Sequence, residues 1–160
     1  MCIRDRSSEF FTKVNVGIGT PVVGVKDLAR SFKEAQTALE VGKVFDTDKN
    51  IVSYDNLGIA RLIYHLPTTL CETFLKEVFK KNSIESLDHE TLFTIQKFFE
   101  NSLNVSETSR KLFVHRNTLV YRLDKIKKLT GLDLREFDHA IIFKIALMVK
   151  KYLAANPTKF

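Results

Sequence analysis

Arg116, Asn117, Thr118, Tyr121, Arg122, Lys125 and Lys128 fall in one short stretch of the chain. Their chemistry suits the reading of a duplex. Arginine bonds guanine in bidentate fashion, asparagine does the same with adenine, and lysine and threonine hold phosphates. If the stretch is helical, each residue turns by about 100°. Asn117, Tyr121, Lys125 and Lys128 then share one side, with Thr118 and Arg122 flanking it. Leu119, Leu123 and Ile126 fall on the opposite side. His115 and Arg116 lie at the N-terminal end, the end that enters the major groove in helix-turn-helix proteins. This assigns His115, Arg116, Asn117 and Tyr121 to base edges, and Thr118, Arg122, Lys125 and Lys128 to phosphate.

Such a helix needs neighbours that fix it. Asn104 suits an N-cap, and Glu107 stands three residues on, where its carboxylate can answer the Asn104 backbone N–H. A helix of about two turns follows. Phe113-Val114-His115 reads as a tight connection whose apolar members pin the two helices together. A second helix starts near Arg116 and runs to about Thr130, with Gly131 as its C-cap. Its leucine stripe is expected to pack on Leu112 and Phe113. Val120 and Tyr121 also suit partly buried positions, and Tyr121 lies more nearly opposite the stripe. Helical hairpins with short turns also occur in domains that never meet DNA; the basic outer face is what favours DNA here.

The charge is concentrated in the same place. The chain has 160 residues and a formal net charge of +6. Residues 105–130 hold Arg110, Lys111, Arg116, Arg122, Lys125, Lys127 and Lys128 against only Glu107 and Asp124. A local basic cluster fits either a phosphate-facing surface or a solvated lysine-rich helix face.

The rest of the chain divides in two. Residues 9–66 mix strand and helix signals. Val14-Asn15-Val16-Gly17-Ile18-Gly19 alternates like a half-buried strand, and Gly19-Thr20-Pro21 breaks it. Leu28, Phe32, Ala35 and Leu39 predict an amphipathic helix over about 26–41, with Gly42 near its stop. Ile51-Val52-Ser53 suits a short strand, and Leu57 to Leu66 a short helix. Residues 67–155 read as all helical: one helix with Pro67 in its first turn running to about Lys81, and another from near Asp88 with the stripe Leu92, Ile95 and Phe99, closed by Asn101-Ser102. The hairpin comes next, and then a long helix from about Asp138 to Ala155. The expected fold is therefore mainly α, a C-terminal helical bundle with a helix-turn-helix, preceded by a truncated α/β segment that lacks enough strands to close a sheet. Residues 1–8 read as a leader or scar and 156–160 as a tail.

These residues carry a family resemblance. Leu112-Phe113-Val114-His115-Arg116-Asn117-Thr118-Leu119, then Tyr121-Arg122-Leu123 and Leu129-Thr130-Gly131-Leu132-Asp133-Leu134, resemble the C-terminal DNA-binding domain of the PucR/CdaR regulators. Val16-Gly17-Ile18-Gly19, Ser31-Phe32-Lys33-Glu34-Ala35 and Tyr54-Asp55-Asn56-Leu57-Gly58 resemble the end of their GGDEF-like middle domain. The resemblance implies a transcription regulator of a catabolic operon, leaning toward activation. It implies an N-terminal sensor for a small metabolite outside this chain, and double-stranded operator DNA as partner. It also implies base- and phosphate-reading roles for His115, Arg116, Asn117, Thr118, Tyr121 and Arg122. Val120 stands where the family is variable and often polar, and suits at most a thymine methyl.

Two other classes compete. An enzyme of the nucleotide-cyclase kind needs a glycine turn and metal-holding carboxylates. The chain has no Gly-Gly pair. Asp46, Asp48 and Asp55 read as solvated turn residues, and Gly17-Ile18-Gly19 as a strand-end turn rather than a phosphate cradle. Four scattered histidines and the isolated Cys2 and Cys71 make no zinc motif and no disulfide framework. The expectation is no enzyme, no cofactor and no metal. The second competitor is an oligomerisation module: Ile141, Ile142, Phe143, Ile145, Ala146, Met148, Val149, Tyr152 and Leu153 make the last helix apolar around most of its girth, fit for a core or for a dimer seam. A homodimer would set two recognition helices about 34 Å apart, one duplex turn. RNA polymerase is a further expected partner. No apolar run reaches the about 18–20 residues of a membrane helix, and a cytoplasmic location follows by default.

Overall fold

The computed structural model describes residues 14–45, 49–79 and 87–156. The fold is mainly α, with seven α-helices and one two-stranded sheet among these residues. In chain order they are β1 (Val16–Ile18), α1 (Leu28–Phe45), β2 (Ile51–Ser53), α2 (Ile59–Tyr64), α3 (Thr68–Val78), α4 (His89–Glu100), α5 (Val105–Lys111), α6 (Arg116–Thr130) and α7 (Phe137–Ala155). Two compact units result. One holds the described residues up to Thr68 together with those from Met148 on; the other is Thr69–Leu147.

In the first unit, β1 and β2 pair in parallel, with Val16 opposite Ile51, Gly17 opposite Val52 and Ile18 opposite Ser53. Parallel neighbours need a crossover, and α1 supplies it. The strand lies so close to α1 that a Cβ on Gly17 would stand 2.1 Å from the Ala35 carbonyl oxygen, and one on Gly19 2.0 Å from that of Ser31. The glycines serve strand–helix packing. Ser31 Oγ donates to the Thr20 carbonyl at 2.7 Å, and the Thr20 N–H to Glu34 Oε2 at 3.0 Å. Ala38, Val41, Val52, Leu57 and Ala60 form the core.

Sequence expectation and structure part at Gly42. The helix continues past it to Phe45, because Gly42 is buried against Val52, where a Cβ would come within 2.7 Å of Cγ2. Pro67 stands just before α3 rather than in its first turn. Asp55 accepts from Thr20 Oγ1 at 3.1 Å. The expectations on residues 1–8, Cys2, Asp46, Asp48 and the α3 end at Lys81 lie outside the described residues.

The second unit is built on a core of fully buried Ile95, Phe98, Leu119, Leu123, Leu134 and Phe143, with Ile126 and Ala146 beside them. Phe79 meets Phe143 edge to face at 5.6 Å between centroids, a favoured aromatic geometry. On α4 the buried stripe is Thr91, Thr94, Ile95 and Phe98, one residue round from the expected Phe99, which is only partly buried. Asp88 caps α4 by accepting from the Thr91 N–H at 2.7 Å. On α7 Phe143 and Ala146 are buried in this core, whereas Ile141 of the same helix is exposed. Among the described residues no helix is long and apolar enough to cross a membrane.

Candidate nucleic-acid interface

The interface begins at a cap. Asn104 Oδ1 accepts from the Glu107 N–H at 3.0 Å and starts α5. The reciprocal half of the expected box is not formed. The Asn104 N–H instead donates to the Asn101 carbonyl at 3.0 Å, and the Glu107 carboxylate turns outward to Arg110 at 3.4 Å. The tight turn from Asn101 to Leu103 has already satisfied the donor Glu107 was expected to meet.

Between α5 and α6 the chain turns over Leu112, Phe113, Val114 and His115. Leu112 and Val114 pack on the core. Phe113 does not, contrary to expectation. It has φ +54 and is 95% exposed, because a left-handed residue swings its side chain out of the crevice that its neighbours fill.

His115 is the N-cap of α6. Its Nδ1 accepts from the Asn117 N–H at 3.2 Å, which leaves Nε2 to carry the proton and face outward. The helix ends at Gly131 with φ +80, its N–H on the Lys127 carbonyl at 2.8 Å, the left-handed C-cap that glycine favours.

The helix between these caps is two-faced. Leu119, Leu123 and Ile126 are fully buried. Arg116, Asn117, Thr118, Tyr121, Lys125 and Lys128 are exposed, Tyr121 at 71%, whereas Val120 is half-buried. The cations then separate by partner. Arg122 turns back to α4, donating to Thr94 Oγ1 at 3.2 Å and pairing with Glu90. Lys125 Nζ sits 3.3 Å from Asp88, and Lys127 Nζ 3.0 Å from Asp133. Arg116 and Lys128 have no acidic partner among the described residues. Hydrogen bonds from Thr91, and then from Lys125, draw the Asp88 pKa down to about 2, so the cap carries its charge at any ordinary pH. A shallow groove lined by Tyr121, Asp124, Lys125, Lys127, Lys128 and Gly131 follows the C-terminal half of α6.

The sequence pattern placed every base-reading candidate at the surface, and the structure brings His115, Arg116 and Asn117 together at one helix end. It draws Arg122 partly inward and ties Lys125 at its tip. The capping role of His115 escaped sequence reasoning, since imidazole is not among the usual N-cap side chains. So did the outward Phe113. Among the described residues, no cluster of His, Cys, Asp or Glu could hold a metal ion.

Comparison with known proteins bears on this architecture. The PucR C-terminal helix-turn-helix domain matches residues 91–149, and the GGDEF-like domain matches residues 3–41. The carbohydrate diacid regulator of Escherichia coli is 31% identical over 86% of this chain and 36% of its own length. The purine catabolism regulatory protein of Bacillus subtilis is 26% identical over 92% of this chain and 28% of its own. The chain therefore spans about a third of the length of these relatives. A solved structure, a regulator of polyketide synthase expression from Bifidobacterium adolescentis, is 24% identical with a TM-score of 0.44, over 79% of this chain and 49% of that one. The matches cover both the hairpin and the glycine-bearing strand and helix at the front, and by both parts the chain belongs to the PucR/CdaR family of transcription regulators.

Proposed function

We propose that this chain is the operator-reading end of a transcription regulator. The observation that carries the reading is the division of α6: a fully buried apolar side and an opposite side of Arg116, Asn117, Thr118, Tyr121, Lys125 and Lys128 open to solvent. That side offers bidentate donors for bases at its N-terminal end and ammonium groups for phosphates toward its C-terminal end. His115 Nε2 adds a donor beside Arg116. Thr118 and Lys128 bind phosphate, and Lys125 joins them once it leaves Asp88.

In the whole protein this end answers a small metabolite sensed elsewhere in the chain and controls catabolic genes from the cytoplasm, as a homodimer that meets RNA polymerase at the promoter. The names of the two relatives, a carbohydrate diacid regulator and a purine catabolism regulatory protein, support that setting. The reading asks for no catalytic step, and GTP offered to the chain should remain unconsumed.

The test is selection of duplexes from a random-sequence library by the chain, followed by affinity measurements across a salt series. Enrichment of a common motif with a log–log salt slope of several units is the expected result. A folded chain that enriches nothing at low salt overturns the reading.

A further inference from the structure

We infer that Phe113 is a DNA-contacting residue, its ring resting on the apolar wall of the major groove, on thymine methyl groups or deoxyribose carbons, beside the N-terminal end of α6. The inference rests on the reading of α6 as a duplex-facing helix.

At 95% exposure, Phe113 is the most exposed aromatic side chain among the described residues. Its ring therefore adds nothing to the core. Its backbone adds strain: φ is +54, in the left-handed region that glycine and asparagine occupy far more readily than phenylalanine. The turn needs that conformation, because it lets the Phe113 N–H reach the Arg110 carbonyl at 3.1 Å and the Val114 N–H reach that of Ser109 at 3.0 Å. Turns of this motif often use glycine. A ring that neither packs nor suits its backbone has its use outside the fold.

The surroundings define the partner. Phe113 sits between α5 and the His115 cap, at the end of α6 that enters the groove. Lys111 and Arg116 are exposed on either side, and Arg110 is 76% exposed. No acidic residue occurs from Thr108 to Leu123. An exposed apolar ring with exposed cations before and after it in the chain fits a surface that is apolar within and anionic at its rim, as a groove wall between phosphates is. A second copy of this chain would set the same cations against one another.

The experiment uses duplexes selected by the parent chain, and compares parent, Phe113→Asn, Phe113→Tyr and Arg116→Ala. Phe113→Asn should bind roughly tenfold more weakly, the scale of one good groove contact, while its thermal midpoint stays level or rises. Phe113→Tyr should bind like the parent. Replacing thymine by deoxyuridine separates the two wall chemistries: it weakens the parent but not Phe113→Asn if methyl groups are touched, and neither if the sugar is. Equal binding by Phe113→Asn and parent, with Arg116→Ala still impaired, overturns the role of Phe113 and leaves the reading of α6 standing. A parent that selects no duplex fails that reading itself. A DNA-free dimer that Phe113→Asn dissociates assigns the ring to contact between copies and also overturns the inference.

Discussion

Arg122 Nη1 donates to Thr94 Oγ1 at 3.2 Å, and the Thr94 hydroxyl in turn donates to the Glu90 carbonyl at 2.9 Å. With the Glu90 carboxylate paired to the same guanidinium, Arg122 fastens α6 to the first turns of α4. Arg122→Ala should therefore lower stability by roughly 1 kcal/mol in urea unfolding, the net worth of one such hydrogen bond plus a half-exposed ion pair. Its coupling with Glu90→Gln should be about 0.5 kcal/mol, since Glu90 is well exposed. A variant of unchanged stability that loses a full phosphate contact in the salt series would mean that Arg122 leaves α4 for the duplex.

Arg116 and Lys128 should separate cleanly on DNA. Both are exposed cations without acidic partners among the described residues, so neither substitution should disturb the fold by more than about 0.5 kcal/mol. Arg116→Ala should cost roughly 1–3 kcal/mol on a selected site and relax preference at one base position. Lys128→Ala should weaken all sequences alike and reduce the salt slope by about 1. Fluorescence anisotropy on matched and scrambled duplexes reads both, and an Arg116→Ala chain that discriminates as the parent does refutes the base-reading role.

The features that were legible in the sequence depend on neighbours within a turn or two. The spacing of Leu119, Leu123 and Ile126 fixes which side of α6 is buried, and the side-chain types of Asp88, Asn104 and Gly131 fix three helix ends. Two of the features that were not legible depend on residues farther along the chain. Arg122 finds Thr94 across 28 positions, and the local pattern, which sets it on the flank of the polar side, does not supply that partner. Gly42 reads as a helix stop, yet it is glycine because Val52 presses on it from β2. Glycine at a helix end and glycine under a close contact are the same letter. Phe113 is similar: its apolar character argues for burial, and only the way α5 terminates turns it outward.

Acid should unfold the second unit partly through Asp133. Its carboxylate is nearly buried and accepts from Arg135 Nε and Nη2, each at 2.8 Å, and from Lys127 Nζ at 3.0 Å. Hydrogen bonds from Arg135, outweighing burial, hold its pKa well below the usual carboxylate range. A depressed folded-state pKa stabilises above the unfolded value, and that contribution is lost as pH falls through the folded one. Stability should thus decline on acidification below about pH 4, where the unfolded carboxyl takes up its proton first. Asp133→Asn should cost roughly 1–3 kcal/mol at neutral pH, softened because Arg135 and Lys127 keep solvent access. It should also flatten the acid limb, leaving the share contributed by Asp88. Urea midpoints from pH 7 to pH 3 test this, and parallel curves for parent and variant would contradict it.

Gly17 and Gly131 should respond to alanine for different reasons. At Gly17 the new methyl would lie 2.1 Å from the Ala35 carbonyl oxygen and 2.8 Å from Leu39 Cγ. The first obstacle is helix backbone, so β1 must lift off α1, at a cost of about 3 kcal/mol or more on the overpacking scale. At Gly131 nothing lies within 4 Å of the added Cβ, but φ is +80, and the left-handed backbone alone costs about 1–2 kcal/mol. Amide exchange distinguishes the two. Gly17→Ala should accelerate exchange at Ala38 and Val41, which are fully buried in the first unit, while Leu119 and Leu123 remain protected. Gly131→Ala should loosen the last turn of α6 and spare Ala38. Equal, small effects at both glycines would mean that β1 does not rest on α1 as closely as these distances require.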